Sequence, residues 1–290
     1  MACPYKGAGH WLTLKPKYTM TYFSKKYLTL TALACLSLSL TGCDEEAKQS
    51  LPSHSWQLVW HDEFDGTAGS LPDDTKWGFD LGNNNGWGNQ ELEVYTNNPE
   101  NVSLDGNGNL VITAIKNGNS FTSARVKTQE KFAQAYGRFE ARLKTPYGPG
   151  VWPAFWMLGD NVGEVGWPMC GEIDIMEMRG QAPSTVLGTV HGPGYSAGNA
   201  ISGSYTLQAN RFDLDYHVFA VEWTPNQLDF FVDGYLFKRI TPQDTPGQWV
   251  YDHPFFMILN VAVGGTFAGF PTDQTPFPQK MTIDYVRVYQ

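Results

Sequence analysis

The chain has 290 residues, of which 42% are hydrophobic, and it contains 30 glycines and 18 prolines. That length is sufficient for one all-β domain with a sizeable core, and the composition is typical of a turn-rich β protein. The formal net charge is −9, and the sequence has no long run of Lys and Arg residues. This balance argues against nucleic acid or another polyanion as the partner and favours a neutral or cationic one.

The N-terminal region carries the features of an export signal. Lys25 and Lys26 precede an apolar run at Tyr27–Leu40, which is shorter than the roughly 20 residues that a membrane-spanning helix needs. A short apolar run after a basic flank is typical of a secretory signal peptide. We predict that residues 1–42 are this signal, with Met20 as a second possible start of translation.

The apolar run ends in Leu-Thr-Gly-Cys at positions 40–43, which resembles the cleavage site of a bacterial lipoprotein. In such proteins the cysteine becomes the first mature residue and carries the lipid, so Cys43 is the predicted lipidation site. The resemblance implies an exported protein that only its lipid holds at a bacterial membrane, in the periplasm or at the cell surface; ordinary secretion is the alternative. Residues 43–55 are polar and are predicted to be a tether, which leaves 56–290 as the globular domain.

Short strand-like runs alternate with turn signals throughout that domain. At Tyr136–Lys144 apolar and charged residues alternate, which predicts a half-buried strand. Asp233-Gly234 lies between two apolar runs and predicts a hairpin turn. Many short strands without a long amphipathic helix predict an all-β fold, a sandwich or jelly roll. The other predicted strands are Asn109–Lys116, His217–Trp223, Leu228–Val232, Tyr235–Ile240, Phe255–Val263 and Met281–Tyr289.

Three acidic residues lie close together in the segment GEIDIMEMRG at 171–180. Side chains alternate between the two faces of a strand, so Glu172 and Asp174 would share a face while Glu177 would point into the core. A β-bulge at Ile175-Met176 would return Glu177 to the face of the other two acids. We therefore predict a bulged strand with three carboxyl groups on one face.

Three neighbouring carboxyl groups repel one another, so at least one is expected to have a raised pKa and to stay protonated near neutral pH. A protonated acid beside an ionised carboxylate is the pair that glycoside cleavage needs. Neighbours on one strand face can meet the separation of roughly 5–5.5 Å that a retaining enzyme requires. Two other interpretations of this segment stay open, a solvated acidic face and a Ca²⁺ site.

Two tryptophans precede the acids in a segment rich in Gly and Pro. Trp152 and Trp156 are four residues apart, so they share a face if the segment is a strand. Indole rings pack on the apolar faces of sugar rings, and we predict that both residues line a groove for a sugar chain. Packing in the core is the alternative.

With these features, the sequence from Trp56 to Gln290 resembles glycoside hydrolase family 16, and in particular its bacterial laminarinases, which are endo-β-1,3-glucanases. The bulged signature EIDIME at 172–177 is typical of that group. An ordered set of motifs is far more specific than one hexapeptide. The motifs that it shares with the family are, in chain order, WHDEFDG, GNQELEVYT, YGRFEARLKTP, GVWPAFWMLG, VGWPMCGEIDIMEMRG, YHVFAVEWTPNQLDFFVDG, LNVAVGG and MTIDYVRVYQ.

The resemblance implies a β-sandwich jelly roll of two stacked antiparallel sheets with a concave substrate cleft. It implies Glu172 as nucleophile, Glu177 as acid/base and Asp174 as the residue that tunes the pair, in a double displacement on laminarin-like β-glucan. No cofactor takes part in that reaction, and a monomer is expected. The residues that it implies for substrate binding, besides the two tryptophans, are Asn89, Glu93, Arg125, Trp167 and His191.

Several of these assignments have alternatives. Glu93 would equally suit a structural role in its loop, and Arg125 a surface salt bridge. The family commonly holds a structural Ca²⁺ away from the cleft, at positions that match Glu63, Gly108 through its carbonyl oxygen, and Asp284; water or Na⁺ would also fit there. Instead of laminarin, the substrate would be mixed-linkage glucan, agarose or carrageenan in a related hydrolase. A non-catalytic sugar-binding jelly roll is the remaining alternative.

Overall fold

The computed structural model describes residues 55–290, so the predicted signal peptide, the lipidation site Cys43 and the tether up to residue 54 lie outside the described residues. Within 55–290 no helix is long and apolar enough to cross a bilayer. The strands are, in chain order, β1 (Leu58–Asp62), β2 (Gly78–Asp80), β3 (Glu93–Tyr95), β4 (Val102–Leu104), β5 (Leu110–Asn117), β6 (Ser120–Ser123), β7 (Arg125–Lys127), β8 (Gly137–Lys144), β9 (Val151–Gly159), β10 (Glu172–Glu177), β11 (Thr185–His191), β12 (Ile201–Thr206), β13 (His217–Thr224), β14 (Gln227–Val232), β15 (Tyr235–Ile240), β16 (Phe255–Val263) and β17 (Gln279–Tyr289).

Helical structure is confined to short segments. The α-helix of the described region, α1 (Val162–Val165), has four residues. Turns of 3₁₀-helix cover Gly86–Gly88, Ala197–Asn199 and Pro242–Asp244. The fold of this region is therefore all-β, as the sequence predicts.

The strands form two sheets. The larger has ten strands, in the order β15-β14-β13-β8-β17-β5-β6-β3, with β1 beside β17 and β4 beside β5. The smaller has seven strands, in the order β12-β11-β10-β9-β16-β7-β2. The pair β3–β6 is parallel, and all other pairs of these strands are antiparallel. The acidic strand β10 lies inside the smaller sheet, between β9 and β11.

The core lies between the two sheets and is built by alternation along their strands. Phe139, Ala141 and Leu143 on β8 are completely buried, as expected from the alternating pattern of that strand. Ring contacts join the sheets, for example between Trp223 on β13 and Phe255 on β16, whose centroids are 5.2 Å apart. Apolar packing, which is the main favourable contribution to folding, therefore holds the two layers together.

The strand predictions are accurate to within two residues. The predicted segments Tyr235–Ile240 and Phe255–Val263 coincide with β15 and β16, and the others differ at an end by one or two positions. Asp233 and Gly234 have φ angles of 50° and 81°. Two consecutive left-handed residues are the hallmark of a tight two-residue hairpin, so the predicted turn is confirmed.

The contact between the layers can be tested at Phe255. Its side chain is fully buried and packs on Trp223, so Phe255→Ala leaves a cavity and should lower the free energy of unfolding by about 3–5 kcal/mol. Phe270 is 50% exposed, and Phe270→Ala is the matched control, with an expected loss below about 1 kcal/mol. Denaturant unfolding measures both. Equal losses for the two variants would contradict the described core.

Candidate active site

A bulge interrupts β10 where the sequence predicts it. On the neighbouring strand β9, Asp174 lies opposite Trp156 and Met176 lies opposite Phe155. Three positions of β10 therefore face two positions of β9, and the extra residue is Ile175. The register against β11 also shifts between Asp174 and the end of β10. The predicted bulge at Ile175-Met176 is confirmed.

The bulge separates the apolar and acidic side chains of β10. The members that enter the core, each at most 1% exposed, are Ile173, Ile175, Met176 and Met178. The three acids lie on the opposite face, where the cleft runs. Glu177 contacts Trp152 on that face, so it does not join the isoleucines in the core. The extra backbone residue is thus the reason that all three carboxyl groups share one surface.

Two indole rings donate hydrogen bonds to the outer two acids. Nε1 of Trp167 donates to Oε2 of Glu172 over 2.9 Å. Nε1 of Trp152 donates to Oε1 of Glu177 over 3.0 Å. The sequence predicts that Trp152 packs on a sugar ring, and the family resemblance implies that Trp167 binds substrate, but neither gives any sign of these hydrogen bonds.

His191 faces the other side of the acidic cluster. It lies on β11 directly opposite Glu172, and its Nε2 is 3.2 Å from Oδ2 of Asp174 and 3.5 Å from Oε1 of Glu172. The backbone N–H of Ala197 donates to Nδ1, so the ring hydrogen is on Nε2 and points at the acids. The structure thus brings His191 to the site, as predicted.

The same three side chains also have the spacing of a metal site. One ligand atom each of Glu172, Asp174 and His191 lie within 4.8 Å of one another. A metal would need the lone pair of Nε2, whereas that atom carries the ring hydrogen in this arrangement. The donor set therefore suits a network of shared protons better than a metal ion.

Burial raises the pKa of all three acids, and neighbouring charges raise those of Glu172 and Glu177 further. Burial, with the neighbouring charge of Asp174, raises the pKa of Glu172 to about 8, and burial raises the pKa of Asp174 to about 8. The pKa of Glu177 is raised well above its usual value, first by burial and then by the other two charges. The cluster therefore retains protons near neutral pH.

Trp156 is fixed in the cleft by a polar network. Its Nε1 donates to Oδ1 of Asn260 over 2.8 Å, and Nδ2 of Asn260 donates to the hydroxyl of Tyr95 over 3.0 Å. The guanidinium of Arg125 lies over the indole at 4.6 Å from its centroid, a favourable cation–π geometry. Sequence reasoning missed Asn260 and Tyr95, because neither lies near the acids in the chain.

Arg125 forms a salt bridge, as the alternative interpretation expects, although both partners are mostly buried; its contact with substrate stays a prediction. It reaches the cleft by covering Trp156, and it also forms a salt bridge with Asp80, whose Oδ2 is 3.0 Å from Nε. A second indole, that of Trp87, lies 4.9 Å from the guanidinium. Sequence reasoning missed Trp87. The signal in the sequence was its position in the Gly- and Asn-rich loop GNNNGWGNQ. In the structure Trp87 has a left-handed φ of 50°.

The backbone of Asn89 and the ring of Trp152 both lie close to Gly265, and substrate binding by Asn89 stays a prediction. A Cβ on Gly265 would stand 3.2 Å from the carbonyl oxygen of Asn89 and 3.4 Å from the ring of Trp152. Gly265 also has a φ of 98°, so both the backbone conformation and the close approach require glycine there. The side chain of Asn89 donates to Oε1 of Glu91 over 3.0 Å.

The prediction that Glu93 binds the substrate is wrong. Its side chain is completely buried, and its Oε2 accepts a hydrogen bond from the backbone N–H of Val263 over 2.7 Å. Burial, with the charge of Glu91 next to it, raises the pKa of Glu93 to about 9. The residue fastens β3 to the end of β16 as a protonated acid and does not reach the cleft.

Of the predicted calcium positions, Glu63 and Gly108 lie close together, but the carboxylates of Glu63 and Asp284 are occupied. Both oxygens of Glu63 accept hydrogen bonds from Arg287, over 2.9 and 2.8 Å. Oδ2 of Asp284 accepts one from Arg142. The backbone oxygen of Glu63 lies 3.8 Å from where a Cβ on Gly108 would stand. A cation at this place would have to rely on backbone carbonyl oxygens, and the Ca²⁺ site stays a prediction.

Comparison with known proteins identifies the class of this site. Residues 88–287 match the glycosyl hydrolases family 16. The chain belongs to this family. It is 41% identical over 283 residues to the beta-glucanase of Rhodothermus marinus, covering 92% of this chain and 96% of that protein.

Solved family 16 structures share the fold. The crystal structure of the laminarinase catalytic domain from Thermotoga maritima is 48% identical, with a TM-score of 0.77 over 82% of this chain and 99% of that one. A beta-1,3-glucan-binding protein from Penaeus monodon is 38% identical over 180 residues, which are 53% of this chain and 49% of that protein. The jelly roll of two stacked sheets and the glycoside hydrolase class, both expected from the sequence, are confirmed.

The raised pKa of Glu177 predicts that Glu177→Gln stabilises the protein in a pH-dependent way. The unfolded chain releases this proton near pH 4.5, whereas the folded chain retains it to higher pH, so wild-type stability falls as the pH rises above 4.5. An uncharged Gln removes this loss. We expect no change in Tm at pH 4 and a gain of about 3 °C or more at pH 8.

Glu100→Gln is the matched control for that experiment, because Glu100 is exposed and should leave Tm unchanged at both pH values. Differential scanning calorimetry makes the measurement. A Tm of Glu177→Gln that is equal to the wild-type value at pH 8 would contradict the burial of this carboxyl group.

Proposed function

We propose that this family 16 chain is a retaining endo-β-1,3-glucanase that hydrolyses laminarin-like β-glucan. The observation that carries the proposal is the set of three carboxyl groups on one face of the bulged strand β10, flanked by indole rings. The names of the relatives support the substrate class, because beta-glucanase and laminarinase are printed for two similar proteins. A neutral glucan also suits a chain with a net charge of −9.

In the first step Glu177 acts as general acid. Its pKa lies well above the usual range of a carboxyl group, so it enters the reaction protonated and donates that proton to the glycosidic oxygen. Ionised Glu172 attacks the anomeric carbon at the same time. The bond between that carbon and the glycosidic oxygen breaks, and an ester bond to Glu172 forms. Asp174, whose pKa burial raises to about 8, stays protonated beside Glu172, and the negative charge of the pair then lies on Glu172.

In the second step Glu177, now ionised, removes a proton from water. The water oxygen attacks the anomeric carbon, and the ester bond to Glu172 breaks. Glu177 is protonated again and Glu172 is ionised, so the site returns to its first state. Two inversions restore the β configuration of the sugar.

The alternatives differ in what they require of the acids. A non-catalytic glucan-binding protein, the class printed for the Penaeus relative, has no need of an acid and a nucleophile with strongly raised pKa values. Another hydrolase of the family would keep both groups and take mixed-linkage glucan, agarose or carrageenan. Assays on laminarin, lichenan, agarose and carrageenan distinguish these substrates by the products released.

Glu172→Gln tests the catalytic assignment. The amide cannot attack the anomeric carbon, so we expect reducing-sugar release from laminarin to fall by at least about 10³-fold, with laminarin binding retained in isothermal titration. Glu100→Gln, on an exposed carboxylate outside the cleft, is expected to keep wild-type turnover. Turnover near the wild-type rate in Glu172→Gln would overturn the assignment, and wild-type protein that binds laminarin without cleaving it would favour the binding alternative.

We further propose that the enzyme is exported, works as a monomer and is lipid-anchored through Cys43. The Leu-Thr-Gly-Cys sequence at 40–43 after the apolar run supports this localisation, and one chain supplies all three acids of the cleft. Cys43→Ala should move the protein from the membrane fraction to the soluble fraction of its bacterial host. Cys35→Ala, inside the apolar run, is the control and should leave it in the membrane fraction. Retention of Cys43→Ala at the membrane would contradict the anchor.

A further inference from the structure

The two hydrogen bonds from indole rings to the acids show a division of roles inside the cleft. Trp167 contacts one oxygen of Glu172, and Trp152 contacts one oxygen of Glu177, at 2.9 and 3.0 Å. The third cleft indole, Trp156, donates to Asn260 instead. Two of the three rings therefore act on the acids through their N–H groups, and one does not.

Trp152 is held rigidly in this position. Its ring packs on Phe267 with centroids 4.8 Å apart. The guanidinium of Arg179 lies over the ring of Phe267, 4.1 Å from its centroid. Nε of Arg179 also donates to the backbone oxygen of Phe267 over 2.9 Å. The loop that contains Phe267 thus fixes the direction in which the N–H of Trp152 points.

Trp167 is placed differently. Its side chain is 47% exposed, and its ring is 5.9 Å from that of His191. One edge of the indole is bonded to Glu172 while much of the ring meets solvent. A sugar ring can therefore occupy its exposed part without displacing the N–H from the carboxyl group.

We propose that Trp167 and Trp152 are positioning residues that fix, through their indole N–H groups, which oxygen of each catalytic carboxyl group reacts. The oxygen that accepts an N–H hydrogen bond is the one that favours the C=O bond or the negative charge. The other oxygen of the group then carries the proton or makes the attack. The proton of Glu177 therefore resides on Oε2, and Glu172 attacks through Oε1. This inference rests on the proposed function, since it concerns the same two acids.

The N–H groups also act on the two acids separately. A hydrogen bond to a carboxylate favours its ionised form, so Trp167 lowers the pKa of Glu172 and Trp152 lowers that of Glu177. The other charged or titratable groups that face these acids are Asp174, His191, Arg125, Cys170 and Tyr251. Substitution of an indole changes none of them, so each ring can be tested alone.

The test is the pH profile of kcat/KM on laminarin for Trp167→Phe and Trp152→Phe. Loss of the N–H raises the pKa of the bonded acid by about one unit. The nucleophile must be ionised, so Trp167→Phe should shift the acidic limb to higher pH and leave the alkaline limb in place. The acid must be protonated, so Trp152→Phe should shift the alkaline limb to higher pH and leave the acidic limb in place.

Trp156→Phe is the matched control, because it removes a cleft N–H that is bonded to Asn260. We expect a higher KM with both limbs at their wild-type positions. If either phenylalanine variant folds poorly, 3-benzothienylalanine at the same position keeps the size of the indole without the N–H. Unmoved limbs in both variants, the same limb moving in both, or a limb shift in Trp156→Phe would overturn the proposal.

A measurement without substrate separates this inference from the proposed function. In protein labelled with ¹³C at the Glu side-chain carboxyl carbons, Glu172→Gln and Glu177→Gln assign the two signals, and their titration gives each pKa directly. Trp167→Phe should shift the titration of Glu172 alone, and Trp152→Phe that of Glu177 alone. If the two variants show these shifts but wild-type protein does not cleave laminarin, the proposed function is refuted and the positioning roles stay intact.

Discussion

Three carboxyl groups buried side by side are the constraint on which the rest of this structure depends. In water each would ionise near pH 4, but burial raises the pKa of all three, and neighbouring charges raise those of Glu172 and Glu177 further. That condition makes one group a proton donor at neutral pH, and it also makes the site a source of instability. The apolar layer between the sheets must offset this loss. Chemistry on one face of β10 is thus supported by the packing on its other face.

The bulge links those two faces. Its extra residue, Ile175, enters the core with Met176, so the insertion adds apolar contact while it turns Glu177 outward. Strand β10 lies inside its sheet, between β9 and β11, and both partners show the register shift. Pairing on two sides therefore holds the bulge in one place. An edge strand would have allowed the acids to change register.

The sequence predicts what local patterns determine, and it fails where distant segments meet. Alternation and turn residues locate seven strands, β5, β8 and β13–β17, to within two positions, and the spacing of the acids predicts the bulge. Glu93 was assigned wrongly because its partner Val263 is 170 positions away. The network from Trp156 to Asn260 spans 104 positions. No local pattern encodes the direction of an indole N–H, since that depends on which side chains pack against the ring.

Phe267 packs on Trp152 and is itself covered by Arg179, so the loop after β16 has two roles. Because Trp152 is a predicted sugar-binding residue, the loop that packs on it would also influence how a polysaccharide binds. Phe267 packs on the ring of Trp152, and that ring donates a hydrogen bond to Glu177. Insertions or deletions in this loop would thus alter substrate binding at Trp152 and the pKa of Glu177 together. An engineer who wishes to adjust one of these properties without the other must leave Phe267 in place.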